Sequence, residues 1–248
     1  MELALATPLG LIIGSFLNVL AYRLPRGESL VWPGSHCPSC EAPIKPYDNV
    51  PVLSWLVLRG RCRSCAESIS ARYPLTELAT AVAFAVIVLV NGLDAGLALE
   101  LPFAAMLIVV AAIDLEHRIV PNKILLPAAI YAVGVSPLVR SGDLVELGIA
   151  GAAAFGFMLA AALAYPAGMG MGDVKLAGVM GLYLGLSVIP ALLIAFAAGS
   201  VIGIALIARD GAGARKRGVP FAPFMALGGL VALVAGPELI DLYVQNFL

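Results

Sequence analysis

From residue 176 to residue 208 the chain carries no Asp, Glu, Lys or Arg, a run of 33 uncharged and mostly apolar residues. Crossing the ~30 Å hydrocarbon core of a bilayer takes about 20 such residues as a helix. The run is therefore too long for one ordinary crossing, and Ser187 and Pro190 offer a turn that would divide it into two short ones. The whole chain follows the same bias: 61% of its 248 residues are hydrophobic and 12% charged, against roughly 45–50% and about 25% for a soluble domain. Its mean hydropathy of +0.98 excludes a soluble enzyme and a disordered chain. A net charge of -1 supplies no basic field for nucleic acid. Four cysteines are too few for a disulfide scaffold, so the expected fold is all-α, a polytopic membrane helical bundle.

Apolar runs predict about eight transmembrane helices, at residues 3–22, 75–91, 95–113, 124–139, 144–165, two within 176–208, and a last one from Gly218 onward. The first lacks a basic start and a small-residue cleavage site, so it reads as an anchor rather than a cleaved signal. Lys and Arg are retained on the cytoplasmic side. With the N-terminus outside, fourteen of the fifteen basic residues fall in inside loops, including Arg118, Lys123, Lys175, Arg215, Lys216 and Arg217, and only Arg140 falls outside. Three regions are expected: a first helix at 1–22, a cytoplasmic loop domain at 23–73 and a helical bundle at 74–248.

The loop holds all four cysteines, as Cys37-Pro-Ser-Cys40 and Cys62-Arg-Ser-Cys65, with 21 residues between the pairs. Two such knuckles complete a tetrahedral sulfur site for zinc, and a reducing cytoplasm favours metal over disulfides. An iron–sulfur cluster or a redox pair share the spacing. A closed four-sulfur site has no open position for substrate, so the expected zinc is structural. It would staple a loop too poor in aliphatics to fold alone. His36, beside Cys37, reads as a surface or supporting histidine, since four thiolates fill the tetrahedron.

Among the acids, Asp114 and Asp173 differ from the loop residues. Asp114 follows the apolar run ending Val110-Ala111-Ala112-Ile113, and Asp173 ends Gly168-Met169-Gly170-Met171-Gly172-Asp173. Both are placed at cytoplasmic ends of spans, where ionisable groups are costly and make functional candidates. Two converging carboxylates can divide acid and base roles on one water and hydrolyse an amide without a covalent intermediate. Against this, Asp173 would suit a helix N-terminus and Asp114 a loop junction, and an ion- or proton-coupled transporter also places acids beside broken helices. Glu77, near the start of the second span, reads as a partner of the helix dipole. Glu100 lies toward the outer side, and neither is assigned to the chemistry.

Several motifs, in order, resemble one family, the bacterial type IV prepilin peptidases (prepilin leader peptidase/N-methyltransferases). They are Gly14-Ser15-Phe16-Leu17-Asn18-Val19 with Arg23-Leu24-Pro25, Ser35-His36-Cys37-Pro38-Ser39-Cys40, Tyr47-Asp48-Asn49-Val50-Pro51-Val52-Leu53-Ser54-Trp55 and Arg59-Gly60-Arg61-Cys62 through Cys65. Arg72-Tyr73-Pro74-Leu75 with Glu77-Leu78, Asp114 with Pro121-Asn122, Gly170-Met171-Gly172-Asp173-Val174-Lys175-Leu176 and Pro220-Phe221-Ala222-Pro223-Phe224 continue the match. The resemblance implies a membrane aspartic protease of the Gly-x-Gly-Asp class, in the bacterial cytoplasmic (inner) membrane, with Asp114 and Asp173 as catalytic pair. Its implied substrates are type IV prepilins and the pseudopilins of protein secretion, cut after a short basic leader at the cytoplasmic face. It also implies N-methylation of the new N-terminus with S-adenosylmethionine, linked to the loop of Cys37, Cys40, Cys62 and Cys65. No glycine-rich nucleotide loop in strand–helix context supports methylation independently. Ala222 departs from the family's pattern, where Gly is expected.

Overall fold

A computed structural model describes residues 2–139, 144–166, 168–210 and 219–247, and every regular element among them is helical. The helices are α1 (Glu2–Arg26), α2 (Leu53–Val57), α3 (Arg72–Asn91), α4 (Leu97–His117), α5 (Asn122–Val139), α6 (Leu144–Ala164), α7 (Met171–Leu184), α8 (Val188–Asp210) and α9 (Ala222–Phe247). The expected loop charges Arg140, Arg215, Lys216 and Arg217, and the expected last start at Gly218, lie outside the described residues. The chain divides into two compact units, Met1–Leu89 and Val90–Leu248.

Seven stretches are long and apolar enough to cross a membrane. The difference from the expected eight lies in the sixth stretch, Met171–Asp210, taken as one run of 40 residues. A short 3-10 turn at Gly185–Ser187 breaks that run, with Gly185 at φ +57°, so α7 and α8 are separate arms. At ~1.5 Å per residue the 14 residues of α7 reach only ~21 Å, short of a full hydrocarbon core. Along α9, Gly236 lies against Ser187, Gly228 against Ala191 and Gly199 of α8 against Phe221, so α8 runs antiparallel to α9.

In the first unit, α1 packs on α3 through missing side chains. A Cβ on Gly10 would lie 2.5 Å from the Ala81 Cα, and one on Gly14 2.6 Å from the Glu77 Cα. This is the small-residue spacing by which membrane helices bring their backbones together. Between these helices the chain has only α2 and a 3-10 turn at Pro46–Asp48, so side chains hold the backbone. Arg23 donates to the carbonyls of Ser29, Pro33 and Gly34 at 2.8, 2.7 and 3.2 Å. Trp55 donates to the Ile69 carbonyl at 3.0 Å.

In the second unit, α4 is the central helix: Phe103, Leu107, Val109, Val110 and Ile113 are all buried. Phe103 stacks on Tyr183 of α7 with ring centroids 4.5 Å apart, and the Tyr183 hydroxyl donates to the Ala128 carbonyl of α5 at 2.9 Å. Helices α6 and α7 meet where a Cβ on Gly181 would lie 2.6 Å from the Gly151 Cα. Leu126, Ile130 and Val133 of α5 stay exposed, as expected of a surface whose solvent is lipid.

Candidate active site and metal centre

The metal centre belongs to the first unit. The four cysteine sulfurs lie within 4.8 Å of one another, and the Cys37–Cys65 pair is 3.8 Å apart. Zinc–sulfur bonds of ~2.3 Å in a tetrahedron require sulfur–sulfur edges of ~3.8 Å, so the donors fit a zinc ion. Each knuckle is tied by its own backbone. Cys37 and Cys62 donate their N–H groups to the Ala42 and Glu67 carbonyls, at 3.0 and 2.8 Å, and accept from the N–H groups of Glu41 and Ala66, at 2.9 and 3.0 Å. Glu41 and Ala66 both sit at φ 58°. The two knuckles are thus one structure used twice, in Cys37-x-Ser39-Cys40-x-x-x-Ile44 and Cys62-x-Ser64-Cys65-x-x-x-Ile69. Sequence reading found the cysteines but not this wider repeat, though its signal was the matching Ser and Ile positions.

Backbone N–H groups of Cys40 and Ser39 pull the Cys37 thiol down to about 6, so this ligand is largely thiolate at neutral pH. For Cys65 the Glu67 N–H acts in the same direction, but desolvation and the sulfurs of Cys40, Cys62 and Cys37 outweigh it and push the thiol up to about 12. Four negative sulfurs this close need a cation among them. His36 sits outside the cluster, its Nδ1 within 2.9 Å of the Gly34 carbonyl.

The two aspartates belong to the second unit. The sequence placed Asp114 just beyond its span, but α4 continues to His117 and is ended by Arg118 in the left-handed region, whose N–H returns to the Asp114 carbonyl. Asp114 therefore lies in the last turn, buried, and its Oδ2 accepts the Ala222 N–H at 3.1 Å. That N–H is free to donate because Ala222 opens α9, where the first N–H groups have no intrahelical acceptor. Asp173 lies in the first turn of α7, also buried, and its Oδ2 accepts the Gly170 N–H at 3.4 Å. It thus does what its position before the apolar run suggested, satisfying an orphan donor at a helix start.

The two carboxylates are within electrostatic reach of each other, although 59 residues separate them in sequence. Arg118 is within reach of Asp114. Lys175 Nζ donates to Asn122 Oδ1 at 3.1 Å and ties the start of α7 to that of α5. A side chain on Gly172 would meet Val120 at 2.8 Å, so α7 approaches the α4–α5 connection only because that position is glycine. Glu100 takes no part: it accepts the Asn91 amide at 2.7 Å in the first turn of α4.

Glu77 is not the first-turn residue that the sequence suggested. Helix α3 begins at Arg72, with Pro74 inside its first turn, where proline is tolerated. Glu77 is buried in the second turn, and its Oε2 accepts the Val52 N–H at 2.7 Å.

Comparison with known proteins follows the same division. Residues 9–91 match the bacterial peptidase A24 N-terminal domain, and residues 101–207 match the type IV leader peptidase family. A prepilin leader peptidase/N-methyltransferase of Bacillus subtilis (strain 168) is 37% identical, with 95% of each chain covered. The protein of the same description from Aeromonas hydrophila is 34% identical over 96% of this chain and 92% of its own. A type 4 prepilin-like proteins leader peptide-processing enzyme of Escherichia coli O78:H11 (strain H10407 / ETEC) is 36% identical over 92% of each. No solved structure matches. Two family domains matched in order, and near-full-length relatives above 30% identity, show that this chain belongs to the type IV leader peptidase family.

Proposed function

We propose that the chain is a prepilin peptidase that removes the short basic leader of type IV prepilins and pseudopilins, with Asp114 and Asp173 as its catalytic pair. The observation that carries this reading is that two buried carboxylates, from the last turn of α4 and the first turn of α7, lie within electrostatic reach of each other. Two carboxylates that feel each other's charge ionise together only at a cost, which favours one protonated and one ionised group. The ionised carboxylate takes a proton from a water, whose oxygen attacks the scissile carbonyl carbon. The protonated carboxyl gives its proton toward the carbonyl oxygen. Collapse of the tetrahedral species then breaks the C–N bond, and the leaving nitrogen takes up a proton from the pair. The Ala222 N–H fixes one oxygen of Asp114, so the carboxylate is oriented before substrate arrives. A transporter would use the same acids, but the family match favours proteolysis.

The active site is assigned to the cytoplasmic face of a bacterial inner membrane, with the N-terminus outside, because that orientation keeps nearly all basic residues inside. Zinc at Cys37, Cys40, Cys62 and Cys65 would organise the loop of residues 23–73. Bound S-adenosylmethionine would supply a methyl group on a sulfonium for the new N-terminal amine. The first unit offers a cavity of about 710 Å³, large enough for such a molecule. Its walls include the aromatic rings of Tyr22, Trp55 and Tyr73 and the buried carboxylate of Glu77.

The test is cleavage of a membrane-inserted prepilin by purified wild type, Asp114→Asn and Asp173→Asn, read by product mass. Each substitution is expected to lower the rate by about a thousandfold or more, with zinc content unchanged. Cleavage surviving in either variant would remove the pair from the chemistry.

A further inference from the structure

The cavity of the first unit has one corner where two buried acceptors, Asn18 Oδ1 and the Glu77 carboxylate, come from facing helices. Ser15 and Asn18 stand one turn apart on α1, and Tyr73 and Glu77 one turn apart on α3. All four line the cavity. Asn18 is 3% exposed, and its amide nitrogen donates to the Tyr73 carbonyl at 3.0 Å. That bond fixes the orientation of the amide and leaves Oδ1 as the acceptor. Among the described residues this buried oxygen has no partner. A buried polar atom left unsatisfied costs about 1–3 kcal/mol, so such an atom in a residue that lines a cavity calls for a ligand.

Glu77, 7% exposed, adds charge at the same corner. Its Oε2 accepts the Val52 N–H at 2.7 Å, and the Ser15 hydroxyl is within reach of the carboxylate. A carboxylate has about four acceptor positions, so capacity remains. No ion-pair partner of Glu77 stands among the described residues. Of the cations lining the cavity, Arg23 is committed to three backbone carbonyls and Arg63 to Asp48. The Val52 N–H is presented by strained backbone: Val52 lies at φ 62°, ψ -50°, and the Leu53 N–H returns to the Pro51 carbonyl at 2.6 Å. This is the positive-φ γ-turn, rare and especially costly for a β-branched residue. Strain of this kind persists where surrounding structure holds it, as Glu77 does here, and gathers at ligand clamps.

We propose that Ser15, Asn18 and Glu77 form a subsite for a primary ammonium group. The occupant must donate hydrogen bonds to Asn18 Oδ1, and a cation matches the Glu77 carboxylate, which has no ion-pair partner among the described residues. Under the proposed function, on which this inference rests, two molecules carry that group: the freshly cut chain at its N-terminus and S-adenosylmethionine at its amino-acid end. A buried charge-assisted pair of this kind is worth about tenfold in affinity or more.

The experiment is calorimetric binding to the full-length protein in nanodiscs. One arm compares S-adenosylhomocysteine with 5′-methylthioadenosine, which lacks the amino-acid end. The other compares a peptide with a free N-terminal amine with its N-acetylated form. In at least one arm the amine form is expected to bind about tenfold tighter or more, and that arm names the source. Glu77→Gln and Asn18→Leu are each expected to reduce the preference. Equal binding within both arms of the wild type, or a preference unchanged in a variant that keeps its zinc, would overturn the subsite. Should a variant fail to fold, hydrogen exchange on wild type decides: the amine ligand must slow exchange of the Val52 amide, and no slowing overturns the proposal. Prepilin cleavage is scored separately on the same preparation, so a failed peptidase reading is distinguishable from a failed subsite.

Discussion

Between α1 and α3, residues 27–71 of the first unit contain two single turns of helix and few buried apolar side chains. Their backbone is held by Arg23, Trp55, Glu77 and the four sulfurs. In the second unit, helix follows helix, and buried apolar side chains and bare glycine backbone make most of the packing, with a few polar ties such as Tyr183 to Ala128. The first unit is thus organised by a few specific polar bonds and a cluster of four cysteines that could hold a metal ion. The second is organised by many weak contacts that depend on shape. Removing one determinant should collapse the first kind of structure and only weaken the second.

Metal removal is the strongest way to break that comparison. Structural zinc contributes on the order of 10–16 kcal/mol to small domains of this kind. A strong chelator, or Cys37→Ser with Cys62→Ser, is therefore expected to abolish hydrogen-exchange protection across residues 27–71. Protection in α4 through α9 should stay as it was. Loop protection that persists after zinc loss, measured by elemental analysis, would show that the hydrogen bonds suffice without the metal. Protection lost from α4 through α9 as well would show that the two units are not independent.

A single added methyl group probes the other side. Gly181 faces the Gly151 Cα and the Ala150 carbonyl at distances that a Cβ cannot occupy without backbone movement. Gly156, on α6, has open space where its Cβ would lie. Gly181→Ala is expected to destabilise the bundle by about 1–3 kcal/mol. Gly156→Ala should be neutral, or stabilising by about 0.5–1 kcal/mol through helix propensity. Thermal unfolding in detergent with zinc content monitored separates the two. Equal midpoints for both variants would mean that the α6–α7 contact is looser than the structure shows.

The contrast between units also explains what could be read from the sequence. Apolar runs located the membrane helices because lipid imposes a length and a composition on each, and cysteine spacing located the four-sulfur cluster because a knuckle is local. The approach of Asp114 to Asp173 was not legible from the residues, since it depends on how α5 and α6 pack between them. Residues 176–208 show the limit of counting: a turn at Ser187 was readable, but whether the run makes one crossing or two depends on the length of α7. The apolar run beginning at residue 75 puts Glu77 at a helix start, where an acid reads as a dipole partner. With the helix starting at Arg72 the same residue becomes a buried acceptor. Ser15 and Asn18 were visible only as letters of a motif, because an unsatisfied Oδ1 is a property of the packed structure. The Ala222 departure is harmless to the contact it touches, since its backbone, not its side chain, donates to Asp114.

The smallest expected effect concerns the ion pair of the loop. Arg63 Nε donates to Asp48 Oδ2 at 2.8 Å and its Nη2 to Oδ1 at 2.6 Å. The hydrogen bond from Arg63 holds the Asp48 carboxyl below its ordinary range. A carboxyl lowered on folding contributes stability above its unfolded value of ~3.9, and that contribution disappears as pH falls through the folded value. Both values lie below pH 5, so Asp48→Asn should lower the loop's unfolding midpoint by the same few degrees at every pH from 5 to 8. The difference between wild type and variant should shrink below about pH 4, and it should shrink somewhat with added salt because the Arg63 partner is exposed. A midpoint difference that grows on acidification would mean that Asp48 acts through a neutral hydrogen bond. A loss as large as that caused by zinc removal would mean that the loop's polar bonds are cooperative with the metal, and the first unit would then be one network rather than a staple with trimmings.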